Sequence, residues 1–289
     1  PPREDIPFRR KQDDRDFLVK QKLSFRDDGS LGLPLGVLQG QNLALLLEKL
    51  FARAGAVEDF DQLPIPFRAV AADIASGDTV VFSHGHLALA VRASMSIPAL
   101  LTPVEVEGRL LVDGGISNNI PVDIARQMDV DRVIVVDIGS PLADTEALQT
   151  VFNILNQSVA LLTRRNSEAQ LATLQPQDIL VQPPLAGFGV TDFARAPDMI
   201  DVGYRATQAL QWRLAELVQQ PKQQALASNT KTLKKPPVIT SIKVQNTSKV
   251  GDEVVRYYIR QPLNQPLDIE KLQKDMGTLY GLEYFERVE

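Results

Sequence analysis

An α/β layered domain followed by a small α+β module is what this 289-residue sequence predicts, on three observations. Up to residue 218, short β-rich runs alternate with helical patterns, as expected of strands and helices packed in layers. From 219 to 237 the chain turns polar and proline-bounded, as in Gln219-Gln220-Pro221-Lys222 and Lys234-Lys235-Pro236-Pro237, with little to bury. The charge balance also changes there, from 20 basic and 28 acidic residues up to 220 to 11 basic and 8 acidic beyond it. The expected organisation is a first domain at 1–218, a linker at 219–237 and a second module at 238–289.

The elements follow in order. A helix is expected at 40–54, strands at 67–71 and 77–82, and a helix at 87–95 that Pro98 brings to an end. A strand at 109–112 leads through a glycine turn to a helix at 122–128, with Pro121 at a position compatible with its first turn. The run Arg132 to Asp137 is almost continuously apolar, which predicts a strand covered on both faces. In the helix expected at 145–173, Leu148, Val151, Phe152, Leu155, Val159 and Leu162 recur at three- and four-residue spacing and predict one apolar stripe. A last helix of this domain is expected at 199–218. The second module opens with a period-two strand at 238–244, continues with helices at 252–259 and 268–280, and begins another strand at 284–288. Too little chain remains to complete a sheet, so this module is expected to be incomplete.

Composition removes several function classes. With 36 acidic and 31 basic residues, 44% hydrophobic residues and no cysteine, the chain has no disulfide, thiolate zinc site or cysteine nucleophile. No window approaches the ~18 consecutive apolar residues of a spanning helix. Neither Gly-x-Gly-x-x-Gly nor Gly-Lys-Ser/Thr occurs, which argues against nucleotide chemistry. Arg9-Arg10-Lys11 is followed by Asp13, Asp14 and Asp16, so it is not a coherent patch for nucleic acid. The sequence opens Pro1-Pro2-Arg3-Glu4-Asp5, with no initiator Met, and reads as a piece of a longer protein.

The sharpest local signal is Leu110-Leu111-Val112-Asp113-Gly114-Gly115-Ile116-Ser117-Asn118-Asn119-Ile120-Pro121. An apolar strand ends in an aspartate, and two glycines then permit φ > 0 or the close approach of another backbone. The carboxyl ends of strands are where ligands bind in open α/β sheets. Asp113 therefore stands either as a catalytic carboxylate or as a side chain capping its own turn. Asp137, which closes the 132–137 strand, is a similar candidate and reads better as a turn residue. His84 and His86 are the only histidines, and without cysteine or paired carboxylates nearby they make a poor metal site. Ser94 and Ser96 lie at a helix end, and no Gly-x-Ser-x-Gly elbow occurs anywhere in the chain.

Four segments carry a resemblance to a known family: Asp73-Ile74-Ala75-Ser76-Gly77, Arg92-Ala93-Ser94-Met95-Ser96-Ile97-Pro98, Leu111-Val112-Asp113-Gly114-Gly115 and Asn118-Asn119-Ile120-Pro121-Val122. In order and spacing they resemble the patatin-like phospholipases, over about residues 30 to 218. The resemblance implies a three-layer domain with a central, mostly parallel sheet and helices on both sides. The end of the chain, Asp275 to Phe285, is similar to a POTRA module, here partial. A patatin domain followed by a POTRA module resembles the type Vd secreted proteins of Gram-negative bacteria, in which an outer-membrane barrel follows.

What the resemblance implies is a phospholipase A-type serine hydrolase that needs no cofactor and no metal. A serine would attack a lipid ester carbonyl, Asp113 would take its proton, and Gly114 and Gly115 would support the motif. The serine and the oxyanion loop would lie upstream of residue 1, so the chain alone is expected to be inactive. The implied partners are a phospholipid substrate, a membrane surface and the barrel of the same polypeptide, with a homodimer left open and no nucleic acid. The implied location is secreted, or the cell surface. The alternative is a non-catalytic lipid-docking or assembly domain, and a Gly-x-Ser-x-Gly motif upstream would decide between them.

Overall fold

The computed structural model describes residues 24–25, 31–32, 36–38, 40–55, 57–139, 142, 144–189, 192–218, 236–248, 250–282, 284–285 and 288. Residues 219–235 of the linker expected at 219–237, and the charged stretch at 9–16, lie outside the described residues. In chain order the elements are strands β1 (Ser24–Phe25), β2 (Leu31–Gly32) and β3 (Gly36–Leu38), helix α1 (Gln41–Phe51), β4 (Ala69–Asp73), β5 (Thr79–Phe82), α2 (Leu87–Ser94), β6 (Ala99–Leu101), β7 (Val104–Val106) and β8 (Arg109–Asp113). They continue with α3 (Gly115–Asn118), α4 (Val122–Arg126), β9 (Ile134–Val136), α5 (Val151–Leu171), β10 (Ile179–Val181), α6 (Ala196–Gln208) and α7 (Gln211–Val218). The C-terminal part holds β11 (Val238–Ile239), α8 (Asp252–Tyr258), β12 (Gln265–Pro266) and α9 (Ile269–Gly281).

This is the α/β class the sequence predicts, a central sheet with flanking helices. The largest sheet has four strands in the order β5-β4-β8-β7, and β4 is buried at every position. Parallel pairs join β3 to β6 and β9 to β10, while β7 and β8 are antiparallel. The chain forms two compact units. One comprises described residues of 1–69, 81–112 and 230–289, and the other comprises described residues of 70–80 and 113–229.

In the first unit, Phe60, Ala69, Leu87 and Ala90 are buried together, with Phe51, Phe67 and Phe82 packed around them. α1 starts at Gly40, whose φ is +74°, a conformation that glycine adopts without Cβ strain. A Cβ there would also overlap the Arg92 guanidinium. Arg92 is buried and donates to Ser96 Oγ (2.5 Å) and to the Thr102 carbonyl (3.2 Å), so this part of the Arg92 to Pro98 motif is structural. α9 packs on α1, where Gln273 donates to the Leu45 carbonyl. Of the strand expected at 284–288, the described residues 284, 285 and 288 are in no strand, and the Gln41 side chain holds the Val288 backbone. Gln41 Nε2 donates to the Val288 carbonyl (2.6 Å), and Gln41 Oε1 accepts from its N–H (3.4 Å). The strand expected at 238–244 shortens to Val238–Ile239, which pair only with Gln265 and Pro266, a residue without an N–H to continue a ladder.

In the second unit, Ile120, Val122, Val133 and Val135 form a core with Leu171, Leu174 and Leu180 against it. Two expectations fail here. The 132–137 strand is covered on one face only: Val133 and Val135 are buried in this core while Ile134 and Val136 are exposed. The single helix expected at 199–218 is two helices. The Leu210 N–H turns to the Thr207 carbonyl, and Arg213 Nη2 near the start of α7 donates to the carbonyls of Pro176 (2.6 Å) and Asp178 (2.9 Å).

Candidate active site

Asp113 closes β8, where Leu111 and Val112 bury their side chains and leave the aspartate half-exposed at the strand end. The two glycines after it are both close-approach glycines rather than positive-φ ones. Gly114 has φ −64°, and a Cβ there would overlap the Val70 carbonyl oxygen of β4. A Cβ on Gly115 would stand 3.0 Å from Asp113 Oδ1 and 3.1 Å from Asn119 Oδ1. A Gly114→Ala variant must therefore push backbone against backbone. We expect it to lose about 1–3 kcal/mol of stability, the usual cost of overpacking, read as a lower midpoint in thermal unfolding.

The Gly115 N–H donates to Asp113 Oδ1 at 2.7 Å and fixes one carboxylate oxygen. Burial pushes the Asp113 carboxyl above the ordinary carboxylate range, and the Gly115 N–H only partly opposes it. The result is a carboxylate more basic than a surface aspartate, held at the end of a buried strand. Asp113 thus caps its own turn, while burial holds its carboxyl above the ordinary range.

The other candidates have local duties. Asp137 accepts from the Gly139 N–H (2.9 Å) and from Gln182 Nε2 (3.0 Å), a turn of the same kind. His86 caps α2 by accepting from the Leu89 N–H (3.4 Å), and its Nε2 lies 3.6 Å from Glu48. His84 Nδ1 lies 3.2 Å from Ser83 Oγ. No group of three or more His, Asp or Glu side chains positioned to hold a metal occurs among the described residues. Ser96 is fully buried, its hydroxyl donating to the Arg92 carbonyl at 2.8 Å, and Ser94 ends α2. Asp113, Gly114 and Gly115 belong to the second unit, while Ser94, Ser96 and the histidines belong to the first.

Sequence reasoning missed how the aspartate turn is braced. Asn166 on α5 donates from Nδ2 to the carbonyls of Gly115 (3.0 Å) and Ile116 (2.9 Å), and the Asn119 N–H donates to its Oδ1 (3.3 Å). Asn119 Nδ2 donates to Ser167 Oγ (3.0 Å), and the Asp123 N–H donates to Gln170 Oε1 (3.2 Å). Asn166, Ser167 and Gln170 share one helix face, and this small-polar spacing was the available signal. The expected apolar stripe is only partly used, since Leu155 and Leu162 are about half exposed.

Fold and site together define an α/β domain with a tuned aspartate at a strand end. Residues 3–126 match the family model described as Patatin-like phospholipase. Among curated proteins it is similar to an uncharacterised NTE family protein of Mycobacterium tuberculosis, with 42% identity over 90 residues covering 30% of this chain and 25% of that protein. It is also similar to human patatin-like phospholipase domain-containing protein 6, with 31% identity over 179 residues, 53% of this chain and 13% of that one. A third similarity is to the lysophospholipase NTE1 of Pyricularia oryzae, with 28% identity over 54% of this chain and 12% of that protein. The matched part of each relative is thus between 12% and 25% of its length.

Proposed function

We propose that this chain is the major part of a lipid acyl hydrolase of phospholipase A type, acting through a serine–aspartate dyad with Asp113 as general base. The observation that carries the reading is the Asp113 turn itself, a carboxylate made more basic by burial, oriented by the Gly115 N–H at 2.7 Å, in a chain matched by the patatin-like phospholipase model. The sequence holds no Gly-x-Ser-x-Gly, and the nucleophile of the proposed dyad is a serine N-terminal to residue 1.

In the proposed mechanism Asp113 accepts the serine proton as the hydroxyl attacks the ester carbonyl. The proton then passes to the leaving alkoxide, and water repeats the sequence to release the fatty acid. A base with its pKa above the ordinary carboxylate value is the better acceptor near neutral pH. The reading is tested by fatty-acid release from phosphatidylcholine vesicles. A polypeptide extended upstream through the nucleophile should be active and this chain should not be. Activity in this chain alone would overturn the upstream-serine assignment.

A lipid surface as partner is supported by the apolar side chains that the second unit exposes. Phe193, Ile200, Tyr204 and Trp212 are between 62% and 75% exposed, and Ile200 and Tyr204 are one turn apart on α6. Trp212 is the chain's only tryptophan, so its fluorescence reports on this surface directly. Phosphatidylcholine vesicles are expected to shift its emission to the blue. An emission spectrum unchanged at saturating lipid would remove this surface from the docking reading.

The further elements of the proposal are a POTRA-type role for residues 238–289, with the domain limits at 218 and 238, a barrel beyond them and a secreted or cell-surface location. They are supported by the resemblance of the C-terminal sequence and by the order strand, helix, short strand, helix in β11 to α9. No helix among the described residues is long and apolar enough to cross a membrane.

A further inference from the structure

We propose that Asn166 is a positioning residue for the reaction, clamping the glycine turn through which the Asp113 carboxylate is aimed; this rests on Asp113 being the general base. The turn has a physical problem that Asn166 answers. Close approach to the Val70 carbonyl forbids a side chain at Gly114, and crowding by Asp113 and Asn119 oxygens disfavours one at Gly115. The residue pair that must orient the carboxylate is thereby the pair with the greatest backbone freedom. α3, which follows, has four residues, too few to hold its own geometry.

Rigidity is supplied from α5, a helix of 21 residues. Asn166 spends both its donors and one acceptor site on the backbone of α3 and its cap. Its two Nδ2 protons go to the carbonyls of Gly115 (3.0 Å) and Ile116 (2.9 Å), and its Oδ1 accepts the Asn119 N–H (3.3 Å). The amide orientation is set by this network, since the reverse flip would place two carbonyl oxygens against Oδ1. Holding the Gly115 and Ile116 carbonyls and the Asn119 N–H restrains the α3 backbone that begins at Gly115, whose N–H donates to Asp113 Oδ1 at 2.7 Å. Ser167, buried beside Asn166, receives Asn119 Nδ2 at 3.0 Å and donates to the Thr163 carbonyl at 2.8 Å, which anchors the other end of α3.

The test uses two readouts. In this chain, a 13C-detected carboxyl titration follows Asp113 directly and needs no nucleophile. In the upstream-extended polypeptide, kcat and KM are measured on a soluble acyl ester. Asn166→Ala is expected to raise the Asp113 pKa, because the opposing Gly115 N–H is no longer held. It should also lower kcat by about 10- to 100-fold with KM within about twofold, the range for a displaced catalytic group. In an Asp113→Asn background the same change should cost nothing further, since it acts through Asp113.

Gln170→Ala serves as the structural control, because it removes a bond from α5 to Asp123 without touching Gly115. It should lower the unfolding midpoint and leave both the Asp113 titration and kcat near wild type. Should Asn166→Ala not fold, Asn166→Asp keeps volume and the acceptor for Asn119 but sets oxygen against the Gly115 and Ile116 carbonyls, and the same two shifts are expected. An Asn166 variant that only lowers the unfolding midpoint, with titration and kcat unchanged, overturns the proposal. Near-normal kcat in Asp113→Asn overturns instead the base assignment on which it rests.

Discussion

Asp113→Asn in the upstream-extended polypeptide is expected to remove most acyl-ester hydrolysis, by ~10²- to 10⁴-fold in kcat, the usual worth of a general base. The asparagine keeps the volume and an Oδ1 acceptor for the Gly115 N–H, so the turn survives while the proton acceptor is lost. The pH profile gives a second check. Burial holds the carboxyl of Asp113 above its ordinary value, so wild-type kcat/KM should fall with decreasing pH at a limb above the range of a surface aspartate. The stability sign is opposite to that of a salt-bridged acid. A raised folded pKa means that the native state favours the protonated form. The associated stabilisation is complete below the unfolded pKa and lost as pH rises through the folded one. At neutral pH the ionised Asp113 is therefore a cost to the fold, and the asparagine variant should melt no lower than wild type. Full activity in the variant would sink the base assignment.

The largest effect on stability is expected at Asp178, which carries no catalytic role. Its side chain is fully buried and accepts the N–H groups of Gln175 (2.7 Å) and Val133 (2.9 Å) and the Arg126 guanidinium. It thus ties the start of β9, the approach to β10 and the end of α4 to one carboxylate. Burial alone would push this carboxyl up, but the Gln175 and Val133 N–H groups and Arg126 outweigh it and hold it below its ordinary range. Asp178→Ala strands a buried N–H and a partly buried guanidinium, a loss of about 3–5 kcal/mol for a broken buried pair. At this chain length that corresponds to a fall on the order of 10 °C in the unfolding midpoint. With a depressed folded pKa, the contribution is present above the unfolded value of about 3.9 and is lost as pH falls through the folded value. Wild type and Asp178→Ala should therefore converge in stability as pH drops below about 4. A variant that melts within two or three degrees of wild type at neutral pH would show that the network is dispensable.

What the sequence alone determined is the α/β class, most of the larger elements and the candidate aspartate. These depend on local patterns: an apolar run that makes β8, three- and four-residue spacings that make α5, and an Asp-Gly-Gly turn after a strand. Even the division at Asp113 between turn residue and base was visible as a pair of alternatives. The tertiary structure decided which physical demand each residue answers. Gly114 and Gly115 are glycines because Val70 and the oxygens of Asp113 and Asn119 crowd them, which no local pattern shows. Beyond the break in the expected 199–218 helix, Arg213 reaches carbonyls more than thirty residues back. Gln41 binds the Val288 backbone 247 positions away. Asp178 lies in a stretch whose neighbours do not mark it, and the importance of Asp178 and Asn166 comes from N–H and C=O groups delivered by distant chain. Local sequence encodes what one element needs for itself, whereas satisfaction of buried polar groups is settled only when elements meet.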